Sequence, residues 1–234
     1  MARITRKELK SDKFALEIEH TVTFFEEHRK EIVRYGGAAL VIILLIIGYA
    51  IYSGHQHAQR EDALARAITI QEAPVGPPSP GSNMNFPTQD VKDSVALKSF
   101  GDVEARYPGT AEGYISEYYI GAIVADQGKL SEAEGHFRNV ADKADAKYSA
   151  LAKYSLAQIY FATGRDAQGE STLRDLIAHP SIYVSKDQAT LTLAKFLGPK
   201  KPAEARKLLE PLRSAPGIVG QTALSDLSQL PSQQ

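Results

Sequence analysis

Ser116-Glu117-Tyr118-Tyr119-Ile120-Gly121-Ala122, continued by Gly128-Lys129-Leu130-Ser131-Glu132-Ala133, decides the fold, because its residue types return 36 positions later. The second copy is Lys153-Tyr154-Ser155-Leu156-Ala157-Gln158 followed by Gly164-Arg165-Asp166. Each copy reads as two amphipathic helices with a short turn between them. A fixed period of this length signals stacked units, each too small to bury its own apolar face. Adding 36 aligns Gly121, Ala157 and Leu193 at a first-helix crossing point, and Gly128, Gly164 and Lys200 at the turn. It also aligns Ala133, Gly169 and Ala205 at the second-helix crossing, then Phe137, Leu173 and Leu209, then Val140, Leu176 and Leu212. Ala96, Phe100, Val103 and Pro108 form a partial earlier copy.

The residue types follow from packing two antiparallel helices. Small side chains let the axes approach, and glycine at the turn adopts the left-handed conformation that closes the first helix. Pro108, Pro180 and Pro216 stop the second helices. The pattern resembles the tetratricopeptide repeat, which implies an all-α solenoid of helix pairs over residues 88–230. The period exceeds the usual value of about 34, and Leu193 and Lys200 replace the small residue and turn glycine of the third copy. Pro211, within Leu209-Glu210-Pro211-Leu212, is expected to kink or shorten the third second helix. Gly217 to Leu230 is expected to form a C-terminal capping helix.

Upstream, residues 35–53 carry no charge, and Leu40-Val41-Ile42-Ile43-Leu44-Leu45-Ile46-Ile47 is wholly aliphatic. Such a run spans the hydrocarbon core, and its insertion is favourable by about 4 kcal/mol. A buried core helix would show a polar face, and this one has none. A cleaved signal would have a shorter leading segment and small residues at the cleavage site. An uncleaved transmembrane anchor is therefore expected. Arg3, Arg6, Lys7, Lys10, Lys13, Arg29, Lys30 and Arg34 precede the span, while only Arg60 and Arg66 follow it up to Glu72. That asymmetry predicts that residues 1–34 are cytoplasmic and that the chain after the span lies across the membrane. Within 1–34, Phe14, Ile18, Phe25 and Ile32 mark an amphipathic helix that lies on the membrane surface, continues the anchor as one long helix, or docks on a partner.

Residues 54–73 read as a helical juxtamembrane stem, with Ala63, Leu64, Ala67 and Ile68 at helical spacing. Residues 74–87 follow as a linker, since Pro74-Val75-Gly76-Pro77-Pro78-Ser79-Pro80-Gly81-Ser82-Asn83 is unsuited to helix or ladder hydrogen bonds. The functional part of the soluble region is expected after it.

Enzymatic readings fail for want of converging residues. The chain has 234 residues, no cysteine and a formal net charge of -1. Thiolate chemistry is excluded, and no basic excess exists for a nucleic-acid partner. His55 and His57 project about 200° apart on a helix and have no acidic pair nearby to complete a metal site. His136 and His179 read as structural, and Glu132, Glu134, Asp142 and Asp145 as solvent-facing charges. No catalytic residue, cofactor or metal site is expected.

Recognition remains. First helices line the inner wall of a repeat stack, so Ile115, Tyr118, Ala122 and Ala125 align with Leu151, Tyr154, Gln158 and Phe161 across a protein-binding groove. Tyrosine offers rigid apolar area with a hydrogen-bonding tip. Tyr118 and Tyr154 are either groove contacts or half-buried spacers.

The order of amphipathic helix, single anchor, stem and repeats, with Phe24-Phe25-Glu26-Glu27-His28-Arg29-Lys30 leading into the span, resembles the ancillary SecYEG translocon subunits, the YfgM-like family. The resemblance implies a bacterial inner-membrane protein with periplasmic repeats. It also implies association with the translocon and a chaperone-like role beside periplasmic chaperones in handling exported chains. Two other readings stay open: a scaffold for envelope assembly or cell division, and a receptor with cytosolic repeats, which the charge asymmetry disfavours.

Overall fold

The computed structural model describes residues 29–77 and 84–231, except for the side chains of residues 31 and 32. The stripe expected of Phe14, Ile18, Phe25 and Ile32 lies outside these, as do residues 78–83 of the expected linker. The described chain is all-α, with one isolated β-bridge. It divides between Gln59 and Arg60 into two compact units. The helices are α1 (Arg29–Glu72), α2 (Gln89–Arg106), α3 (Ala111–Asp126), α4 (Leu130–Lys143), α5 (Ala146–Ala162), α6 (Asp166–Ala178), α7 (Lys186–Leu197), α8 (Pro202–Leu209) and α9 (Ile218–Gln229).

Helix α1, which runs from the first unit into the second, is long and apolar enough to cross a membrane. Its aliphatic residues from Leu40 to Ile47 are 49–67% exposed. A core helix of a water-soluble domain would bury these side chains, at about 1.5–3 kcal/mol each.

The second unit is a stack of helix pairs. In the two central pairs, Gly128 and Gly164 turn the chain with φ of 79° and 75°, and α4 and α6 begin with no side-chain cap. Helices α2, α3, α5 and α7 are capped instead. Thr88, Thr110, Asp145 and Ser185 accept hydrogen bonds from the first-turn amides of α2, α3, α5 and α7. These caps satisfy donors that a helix start leaves unpaired.

The aligned positions are the core. Ala133, Val140, Ala157, Leu173, Leu193, Ala205 and Leu209 are fully buried, and Phe137 and Leu176 nearly so. At Gly121 an added Cβ would stand 3.0 Å from the Phe137 ring, and at Gly169 2.7 Å from Phe161. The small residues are thus demanded by ring packing across each pair. The third pair departs where its sequence does. Without a glycine at Lys200, the turn has no positive φ, and Lys200 and Lys201 donate backbone hydrogen bonds to Leu197 O at 3.0 and 2.6 Å. Pro202 opens α8, and the expected break at Pro211 is a 3-10 turn, Glu210–Leu212. Leu212 is only half-buried there. Helix α9 packs on α7 and α8 and closes the stack.

The stem and linker differ most from the sequence expectation. Leu64 and the fully buried Ala67 lie in one apolar cluster with Ala96, Phe100, Ile120 and Ile123. The end of α1 is therefore the first helix of a pair whose second helix is α2. Lys92 Nζ donates to the carbonyls of Gln71 and Ala73 at 3.1 and 3.4 Å, satisfying acceptors at the C-terminus of α1. Both ends of the proline-rich stretch are pinned, contrary to the expectation that it holds no ladder bonds. Gly76 N donates to Phe86 O at 2.9 Å and Phe86 N to Pro74 O at 3.0 Å, forming a Val75–Phe86 bridge. Pro74 supplies only its carbonyl, so its missing N–H costs the bridge nothing.

Candidate protein-binding face of the first helices

First helices touch first helices. α3 contacts α5 directly, as well as its own second helix α4. This places the side chains of successive first helices on one wall, where the repeated tyrosines join neighbouring pairs. The Tyr154 hydroxyl lies 2.7 Å from Thr192 Oγ1 on α7. One pair earlier, the Tyr118 hydroxyl lies near Ser155 of α5. Tyr118 also packs against Phe137 (centroids 5.4 Å apart) and edge-on against Tyr148 at 6.2 Å. Burial raises the Tyr118 pKa, and the nearby Ser155 offsets that in part. Both tyrosines are half-buried, and the Tyr154 hydroxyl bonds to the next first helix.

The remaining expected groove residues divide by neighbourhood. Ala122 and Gln158 meet, with Ala125, in one pocket of about 260 Å³ lined also by Asp126, Leu130, Phe137, Ser155, Ile159 and Ala162. Ile115 packs against the cluster around Phe100, and Leu151 against the cluster around Leu173. Phe161 stacks on Phe196 with centroids 4.1 Å apart. The wall therefore has an open apolar pocket near its middle, while Ile115, Leu151 and Phe161 hold the pairs together.

Two residues of this face, Tyr148 and Tyr183, escaped the sequence reading. Tyr148 meets Tyr183 edge-on at 5.2 Å, and Tyr183 remains 42% exposed. Burial, followed by the nearby Tyr183, raises the Tyr148 pKa. Neither residue falls on the 36-residue register, which is why the periodic alignment passed over them. Tyr119, in turn, stacks on Phe100 at 4.8 Å.

Glu134, on the second helix α4, is not the solvated charge expected, while Asp145 is exposed but also caps α5. Glu134 takes a two-point pair from Arg165 and a further contact from Arg138 at 2.6 Å. Asp145 Oδ1 caps α5, accepting from the amides of Lys147 and Tyr148 at 3.0 Å. His136 sits 3.7 Å from the buried Glu117, whose other oxygen accepts from Asn139 at 2.6 Å. His55 pairs with Gln59 at 2.9 Å. Among the described residues, no group of three His, Asp or Glu side chains is placed to hold a metal ion.

A sequence profile described as a tetratricopeptide repeat-like domain matches residues 23–210, most of the chain. The chain belongs to the tetratricopeptide repeat-like domain family. No curated protein matches it significantly. Two crystal structures of nearly identical TPR-like repeats assigned to a kinesin light chain of Podosopora anserina are similar in fold. One, a single-substitution variant, is 16% identical with a TM-score of 0.50; the other is 17% identical with a TM-score of 0.49. Each match covers 60% of this chain and 78% of the other. At that identity the likeness speaks to fold alone. The tetratricopeptide match begins before α1 and so includes the helix that carries Leu64 and Ala67. A tetratricopeptide repeat-like domain is a scaffold for protein–protein interaction.

Proposed function

We propose that this protein is a membrane-anchored adaptor whose repeat domain binds other proteins along the wall formed by α3, α5 and α7. The carrying observation is the open apolar pocket at Ala122, Ala125 and Gln158, flanked by the tyrosines that tie successive first helices together. An apolar surface with a few polar groups at its rim is suited to a polypeptide ligand. Residues 35–53 form the anchor, with residues 1–34 cytoplasmic and the repeats on the periplasmic side of a bacterial inner membrane. The exposed aliphatic side chains and the excess of lysine and arginine before them support this orientation. The resemblance to ancillary SecYEG subunits supports a place beside the translocon, where the wall would hold exported chains or periplasmic chaperones.

Two experiments test this. Protease added to spheroplasts should digest the repeats while leaving a fragment with residues 1–34 intact; protected repeats would reverse the topology. Isolation in mild detergent after in vivo crosslinking from Tyr118 and Tyr154 should recover translocon subunits or exported chains. Recovery of envelope-assembly proteins alone would replace the translocon with a scaffold role.

A further inference from the structure

The pocket between α3 and α5 has a charge character that its apolar walls do not explain. Asp126 stands at its rim, exposed, and among the described residues no basic side chain pairs with it. No lysine or arginine lines the pocket. The helices that end beside it, α3 and α5, carry no basic residue in their last turns. Helices α2, α4, α7 and α8 place Arg106, Lys143, Lys195, and Arg206 and Lys207 there, while α1, α6 and α9 also carry none. A helix C-terminus carries roughly half a negative charge, which a base in the last turn offsets. Two helix ends with no base in the last turn, and a carboxylate, therefore meet at one apolar cavity. Repeat packing does not require this carboxylate, because the position 36 residues on is Ala162.

We infer that this pocket receives a lysine or arginine side chain from an extended polypeptide, its aliphatic stem against Ala122, Ala125 and Ile159 and its cation at Asp126. The inference rests on the protein-binding reading of the first-helix wall and names the chemistry of the partner. Long basic side chains suit such a site, since the stem buries apolar surface while the head keeps its charge partner. Ser155 and Gln158 supply further acceptors for guanidinium or ammonium donors. An acidic ligand would face Asp126 and both negative helix ends.

The test is selection from a random nonapeptide library displayed on phage, using the full-length protein immobilised in mild detergent. Lysine or arginine should be enriched at one position, and Asp126→Asn should weaken the selected peptide about tenfold, the scale of a lost charge-assisted hydrogen bond. Ala125→Lys, which places a base in the pocket, should abolish the same preference. Enrichment of acidic or uncharged peptides, or a basic preference unchanged in Asp126→Asn, overturns the inference while leaving a protein-binding wall. Failure to select any peptide overturns the protein-binding reading beneath it. Asp126→Asn should melt like the parent protein, because the side chain is exposed and outside the ion pairs of the fold.

Discussion

Glu134 and Arg165 clasp each other across the boundary between two helix pairs, with Nη1–Oε1 and Nη2–Oε2 distances of 2.9 and 2.6 Å. The arrangement recurs one unit on. Glu170 meets Lys201 at 2.9 Å, and Arg138 on Glu134 is matched by Arg174 on Glu170. Arg165 also lies over the Tyr160 ring, 4.7 Å from its centroid. Each unit is thus joined to the next by a carboxylate on a second helix and a base just before the following second helix.

This clasp should be visible in the acid limb of the stability curve. The hydrogen bond from Arg165 holds the Glu134 carboxyl below the usual glutamate range, and Arg174 followed by Lys201 does the same for Glu170. A depressed native pKa contributes stability above the unfolded value, about 4.3 for glutamate, and loses it as pH falls through the native value. Thermal melts should therefore show Glu134→Gln less stable than the parent at neutral pH, with the difference shrinking on acidification below that range. A difference constant with pH would contradict the account.

Packing of the pair interfaces predicts opposite signs for two glycine substitutions. Gly169→Ala drives a methyl into the Phe161 ring and should cost about 1–3 kcal/mol, as overpacking does. Gly135→Ala, within α4 with nothing within 4 Å of an added Cβ, should stabilise by about 0.5–1 kcal/mol through helix propensity. Denaturant midpoints of the two variants against the parent decide both.

The end of α1 should prove integral to the repeat fold. A fragment beginning at residue 60 should unfold cooperatively, whereas one beginning at residue 88 uncovers Phe100, Ile120 and Ile123 and should melt lower and bind a hydrophobic dye. Phe100→Ala, at a fully buried position, should cost about 3–5 kcal/mol in the full-length protein. Equal melting of the two fragments would show that Leu64 and Ala67 contribute nothing.

Tyr154→Phe removes the hydroxyl that faces Thr192 and should cost about 0.5–1.5 kcal/mol of stability. Chemical denaturation of this variant, of Thr192→Val and of the double variant should give non-additive losses. Additive losses would mean that the two side chains act independently.

Most of the solenoid was legible because helix crossing imposes residue size at a fixed spacing, so Gly121, Ala157, Ala133 and Gly169 carry the period in their own chemistry. The first pair was hidden by its connection. Ala67 and Ala96 are separated by 29 positions, where Gly121 and Ala133 are separated by 12, so no single period can contain both. The ion pairs were periodic too, with Glu134, Arg138 and Arg165 answered by Glu170, Arg174 and Lys201, but only a structure joins a second helix to the turn of the next unit. The wall was legible in part. Ala122 and Gln158 share the pocket that the register implied, yet Asp126 was one exposed acid among many and Tyr183 lies in a connection before α7.

Central to the account is that partners meet the first-helix wall rather than the outer helices. The direct measurement places a photocrosslinking residue at Ala125 or Gln158 on the wall, and at Gly135 or Ser171 on exposed positions of second helices, in the full-length protein in its membrane. Mass spectrometry then identifies the adducts. Adducts from Ala125 and Gln158, with little from Gly135 and Ser171, are the predicted result. Adducts confined to Gly135 and Ser171 would contradict it.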